Sequence, residues 1–134
     1  MEVRKDETLE LRAGEDIVRV RQTARAWAVA IGFTLVDQTK IVTATSELAR
    51  NTIEHGRGGR VRLRWLVNGV RKGLRLDFVD AGPGIANVEI ALRDGYTTGT
   101  GLGLGLSGSR RLMSEFEIES AIGQGTRVSV TRWT

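Results

Sequence analysis

The chain has 134 residues, 20 Lys and Arg against 16 Asp and Glu, and no cysteine. That length suits a single domain, residues 1–134, able to bury about two-thirds of its unfolded surface, and the cysteine count excludes disulfides, thiol chemistry and cysteine metal sites. The net charge of +4 comes from basic residues interleaved with acids, and three Trp, three Phe and one Tyr leave little for base stacking, so no nucleic-acid partner is expected.

No apolar run approaches the roughly 18 residues of a membrane span, and the opening MEVRKDETLE lacks the apolar core of a signal peptide. A cytoplasmic location without membrane contact is the expectation. ETLELRA alternates apolar and polar residues and predicts an opening strand. From Glu15 to Ile31, the spacing of Ile17, Val20, Ala24, Trp27 and Ile31 predicts a helix closed by Gly32. A second helix is expected from an N-cap at Asp37 to Gly56, with Ile41, Ala44, Leu48 and Thr52 on one face. RVRLRWLV and GLRLDFVD then alternate around Asn68-Gly69, a hairpin signal that puts Val61, Leu63, Trp65 and Val67 on one face. NVEIALRD reads as a short helix, LSGSRRLMSE as another, and EFEIES and TRVSVTRW as a last hairpin around Gly123-Gln124-Gly125. The order predicts an α/β two-layer sandwich, its sheet mixed or mostly antiparallel with helices on one face.

Between the two short helices lies DGYTTGTGLGLGLSGSRR, dense in glycine. Gly103-x-Gly105-x-x-Gly108 satisfies a dinucleotide pattern, but no apolar strand leads into it and too little chain follows for the rest of that fold. A Walker A lysine is absent. What remains is physical: backbone N–H groups near a helix start, with no Cβ in the way, suit a phosphate. In SELARNTIEHG, Glu47 and Asn51 are four residues apart and share a helical face, a hard-oxygen pair suited to Mg²⁺ or to accepting a hydroxyl proton. An ordinary solvated polar face would look the same. His55 is the chain's one histidine and reads as a helix-end residue. In DFVDAGPGI, Asp77 is expected to face solvent. Asp80 closes the strand where glycines let a flat ligand approach, and its carboxylate can accept an exocyclic amino group; a turn-forming Asp is the plainer alternative.

Taken in order, Glu47-x-x-x-Asn51, Asp80-x-Gly82-x-Gly84, Gly101-x-Gly103-x-Gly105 and Gly123-x-Gly125-Thr126 resemble the four boxes of the GHKL ATPase superfamily, over roughly residues 36 to 130. The stretch from Asp94 to Thr126 is similar to that of the RsbT-type switch kinases, small serine/threonine kinases that regulate bacterial sigma factors. The resemblance implies the Bergerat ATP-binding fold with ATP and Mg²⁺ as cofactors. It makes Glu47 the general base, Asn51 the Mg²⁺ ligand and Asp80 the adenine-binding residue. Gly82, Gly84 and Ile85 then shape the adenine pocket, and Thr98, Gly101, Leu102, Gly103, Leu104 and Gly105 form a lid over the phosphates. Thr126 supplies a hydroxyl supporting Asp80. The implied reaction is γ-phosphoryl transfer to a serine of a STAS-domain protein of the RsbS or RsbR type. In such a partner-switching or stressosome pathway, the released kinase then activates a PP2C-type phosphatase (RsbU/RsbX-like). Gly99-Thr100 stands where the family often has Ser-Lys, a departure that removes a positive charge near the phosphates. The alternative is a non-catalytic, ATP-loaded anti-sigma-type module that sequesters its partner. A partner-independent ATPase is disfavoured by the lack of a transducer domain.

Overall fold

The structure, a computed structural model, describes residues 1–93 and 106–134. The first strand, β1 (Glu2–Leu11), starts five residues before its alternating stretch. Its charged first half is held by the ladder to β2 (Gly59–Asn68), which runs from Glu2 opposite Val67 to Leu11 opposite Gly59, with a register shift between Val3 and Lys5. Charged side chains suit it, because β1 is an edge strand.

Helix α1 (Gly14–Ile31) opens at Asp16, whose Oδ2 accepts from the N–H groups of Arg12 and Ala13 at 2.9 and 3.1 Å. It closes on Gly32 at φ 106°, whose N–H reaches the Ala28 and Val29 carbonyls. Helix α2 (Leu35–Glu54) begins earlier than its sequence suggests. Thr34, not Asp37, is the N-cap, its hydroxyl accepting from the Asp37 N–H at 3.2 Å. Asp37 is left inside the first turn, where its charge complements the helix dipole. There its carboxylate receives Arg132 Nη2 at 2.9 Å.

The β2–β3 hairpin, with β3 at Arg71–Asp80, pairs Asn68 with Arg71. The loop is therefore Gly69-Val70, one residue later than the Asn-Gly signal centres it. Gly69, at φ 64°, takes the first loop position, where II′ turns favour glycine. After α3 (Val88–Ala91), capped by the Asn87 side chain, come α4 (Leu106–Leu112), β4 (Glu115–Ser120) and β5 (Thr126–Trp133). The two last strands match their predicted bounds.

The sheet order is β1-β2-β3-β5-β4, and every neighbouring pair is antiparallel. Of the two sheet types left open by the sequence, the antiparallel one is adopted. Val20, Ala24, Trp27 and Ile31 of α1, and Ile41, Ala44, Leu48 and Thr52 of α2, are all at most 4% exposed. They pack on the sheet face that carries Val61, Leu63, Leu74, Leu76, Val128 and Val130. Each such aliphatic side chain contributes about 1.5–3 kcal/mol by leaving water. The opposite sheet face is polar and no helix among the described residues covers it. No helix of the described residues is long and apolar enough to cross a membrane.

Candidate functional site

Strand alternation and hairpin register bring the site together. Asp80 is the last residue of β3 and Thr126 the first of β5, and the ladder sets them opposite one another. The last turn of α2 lies above them. Between these elements is a small pocket. Leu48, Phe78, Ile85 and Val128 make it apolar, while Asn51, His55, Asp80 and Thr126 supply its polar groups. Leu106, buried at the start of α4, also lines it.

Asp80 Oδ1 accepts the Gly82 N–H at 2.9 Å. Burial is the largest influence on its carboxyl and pushes it above the ordinary value. Hydrogen bonds from the Gly82 and Thr126 backbones and the charge of His55 act the other way without cancelling it. The sequence assigns the Thr126 hydroxyl to Asp80, and here the structure differs. That hydroxyl pairs with Ser120 Oγ at 2.8 Å, and Thr126 reaches Asp80 through its backbone. Register supplies the hydroxyl's partner: Ser120 of β4 lies opposite Thr126 in the ladder, so their side chains meet.

Glycine is required where backbones cross beneath the pocket. A Cβ on Gly56 would overlap the Asp80 carboxylate, and one on Gly125, at φ 74°, would overlap the Asp80 carbonyl. Gly82 packs on Gly56, and Gly84 on the Ala121 carbonyl, so the α2 end, the Asp80–Gly84 loop and the β4–β5 turn interlock.

Glu47 is one turn before Asn51 on α2, on the same face, and does not line the pocket. Its side chain is 38% exposed and accepts Arg50 Nη1 at 2.9 Å. Asn51 reaches the pocket itself. Thr98, Gly101, Leu102, Gly103, Leu104 and Gly105, and the Gly99-Thr100 departure, lie outside the described residues.

One pocket residue, His55, and one residue behind the pocket, Ser120, escape sequence reasoning. His55 is half-buried, with Nε2 3.3 Å from the Gly84 carbonyl, and so ties the end of α2 to the glycine loop. Ser120 Oγ is a hub joining the Ile85 N–H at 2.8 Å, the Gly125 carbonyl at 3.0 Å and Thr126. A histidine four residues past Asn51 was a local signal for the first. Nothing local marks the second.

Asp77 also departs from expectation. It is on the outer sheet face, as its alternation requires, yet it is 8% exposed rather than solvated. Arg64 Nη2 at 2.6 Å, Arg75 Nη2 at 3.2 Å and Ser129 Oγ at 2.5 Å close over it. Burial alone would raise its carboxyl, but these hydrogen bonds outweigh it and hold the group below the usual range.

The fold and the pocket define a nucleotide-binding domain, and the chain belongs to the family of histidine kinase-, DNA gyrase B- and HSP90-like ATPases, whose sequence pattern matches residues 36–133. Within it, the chain is 42% identical to the serine/threonine-protein kinase RsbT of Bacillus subtilis (strain 168), over 88% of this chain and 89% of that protein. It is 29% identical to the anti-sigma F factor of Thermoanaerobacter sp. (strain X514), over 84% and 82% of the two chains. Among solved structures, the RsbU and RsbW domains of Rv1364c from Mycobacterium tuberculosis share its fold, with a TM-score of 0.63 and 22% identity. The match covers 96% of this chain and 32% of that one. The catalytic domain of histidine kinase ThkA shares it with a TM-score of 0.54 and 18% identity, over 94% and 95%.

Proposed function

We propose that this protein is an ATP-dependent serine/threonine kinase of the partner-switching type. It transfers the γ-phosphoryl of ATP to a serine hydroxyl on a STAS-domain regulator of the RsbS or RsbR kind. Once released, it activates a PP2C-type phosphatase, in a cytoplasmic pathway that controls a sigma factor. The observation that carries this reading is the placement of Glu47 one helical turn from Asn51, on the face of α2 that ends at the Asp80 pocket. The likeness to the Bacillus subtilis kinase supports it.

The residues divide the work by chemistry. Asp80 accepts the adenine amino group, and the apolar walls Leu48, Phe78 and Ile85 take the ring faces. Glu47 takes the proton of the attacking serine hydroxyl as its oxygen bonds to the γ-phosphorus and the bond to the β,γ-bridging oxygen breaks, releasing ADP. Arg50 Nη1 donates to that carboxylate and holds it in place. Asn51, at the pocket, offers Mg²⁺ one hard oxygen and would leave the other positions to phosphate and water, as this ion prefers. Bound there, it would neutralise charge on the phosphates.

The test is incubation with Mg-ATP and a cognate STAS protein, followed by mapping of phosphoserine. Phosphate on the STAS serine, lost in Glu47→Ala with ATP binding retained, is the expected result. ATP binding without any phosphoserine would leave the second reading, a non-catalytic module that sequesters its partner. That reading is favoured by the likeness to anti-sigma F factors. It expects Glu47→Ala to keep partner regulation.

A further inference from the structure

The sheet face turned away from the helices carries a groove of about 630 Å³ lined by Thr8, Arg60, Arg62, Arg64, Asp77, Val79 and Arg127. Nothing in the kinase reading uses it. Arg60, Arg62 and Arg64 alternate along β2, so their side chains leave the same face about 6.5–7 Å apart. Across the sheet, Arg127 of β5 sits opposite Val79 of β3 and closes the far wall. Four guanidinium groups thus line the groove around one buried carboxylate, Asp77, which pairs with Arg64, Arg75 and, at 3.7 Å, Arg127.

The face also shows what these arginines recognise. Arg62 grips the Asp6 carboxylate of β1 with both Nε, at 2.9 Å, and Nη2. Arg127 Nη2 holds the Glu119 carboxylate of β4 at 2.8 Å. Both pairs are exposed on at least one side, at 39–49% for Asp6 and Arg62 and 73% for Glu119. The single-contact Arg127–Glu119 pair is weak and open to exchange with an incoming carboxylate, whereas the two-point Arg62–Asp6 pair shows the geometry in which these guanidinium groups hold one. No aromatic side chain lines the groove to stack a base, which argues against a nucleic acid. An extended peptide repeats its side chains on one face at the same 6.5–7 Å as β2.

We infer that this groove docks an extended segment of a partner protein bearing carboxylates at alternate positions, which pair with Arg60, Arg62 and Arg127. The surface backs directly onto the nucleotide pocket: Val79 and Arg127 face the groove, while their chain neighbours Asp80 and Thr126 face the pocket. The inference does not rest on phosphoryl transfer and holds for either functional reading.

The probe is a fluorescein-labelled nonapeptide alternating Ser and Glu, titrated by anisotropy, with a Ser/Gln peptide as control and an oligo(dT) of equal charge as rival. The Glu peptide should bind at low ionic strength, weaken at least tenfold when salt is raised to about 0.15 M, and outcompete both others. The double variant Arg60→Glu, Arg62→Gln should weaken it at least tenfold further at constant salt. Asp77, Arg64 and Arg75 are left intact in that variant, and unchanged ATP binding reports that it is folded. Equal binding of the Gln peptide, tighter binding of the oligonucleotide, no binding of the Glu peptide, or an unaffected double variant would each overturn the assignment.

Discussion

Asp80 at the end of β3 lies directly across the ladder from Thr126 at the start of β5, and the Thr126 backbone donates to the Asp80 carboxylate. Burial nonetheless leaves that carboxyl above its ordinary value. The folded, unliganded protein therefore holds this proton more tightly than the unfolded chain does. The stability gained is full below the unfolded carboxylate value, about 4, and is lost as pH rises through the higher folded value. Adenine recognition needs the other form, because a carboxylate accepts and a carboxylic acid also donates. Affinity for adenosine, which has no titrating phosphate, should fall on acidification from about pH 7 towards about pH 4, as NMR titration would record. Asp80→Ala should cost at least about 1.5 kcal/mol of that affinity at neutral pH, the loss of one charge-assisted hydrogen bond. It should leave the thermal midpoint of the unliganded protein unchanged or higher.

Glu47→Ala should lower phosphoryl transfer by about 10²–10⁴-fold, the usual contribution of a positioned general base, with ATP affinity within about threefold of the parent. Arg50→Ala should reduce transfer by a smaller factor, through a less ordered Glu47. Stability should change by no more than about 0.5 kcal/mol, since the pair is an exposed i,i+3 contact. Single-turnover kinetics beside calorimetric ATP binding separate the two effects.

Asp77→Ala should destabilise the fold by about 3–5 kcal/mol in urea unfolding, because Arg64 and Arg75 would be left without their carboxylate. The pH trend is opposite to that of Asp80. A depressed folded value gives stability that is present above the unfolded carboxylate value, about 4, and is lost as pH falls through the folded one. Asp77→Asn should flatten the acid limb of the stability curve, which urea titrations across that range would reveal.

Gly56→Ala should reduce ATP affinity at least tenfold while α2 remains helical by circular dichroism. The added methyl meets the Asp80 carboxylate, so the residue proposed to recognise adenine must move. The cost in stability should be about 1–3 kcal/mol, as for other overpacked sites. Gly108→Ala, with nothing among the described residues within 4 Å of the added carbon, is the control and should leave ATP affinity unchanged without loss of stability.

Local pattern made much of this molecule legible. The buried faces of α1 and α2 repeat every three or four residues, and the bounds of β4 and β5 coincide with their alternation. Glu47, Asn51 and Asp80 are singled out by the four glycine-rich and acidic segments taken in order, since each alone also fits a solvated helix face or a turn. Thr34 was passed over because Asp37, three residues on, is an equally good cap by composition, and the cap is decided by which side chain meets an unpaired N–H. Asp77 was misjudged for a different reason. Alternation fixes the face a residue occupies, but the groups that bury it come from positions 64 and 129, on two other strands. Ser120 is the same case: its three partners are 5, 6 and 35 residues away, and no window along the chain contains them as a pattern.

β5 is last in sequence yet lies between β3 and β4 in the sheet. A chain emerging from the ribosome therefore completes α1, α2 and the β2–β3 hairpin while β3 still has a bare edge, and part of the pocket beside Asp80 does not yet exist. Insertion of β5 closes that edge, supplies Thr126 and Val128, and joins β4 to the rest in one long-range event. Acquiring the native sheet and acquiring nucleotide competence are thus the same step of biosynthesis. A chain cut short before Thr126 should yield not a weak enzyme but an unpaired strand, open to aggregation and proteolysis.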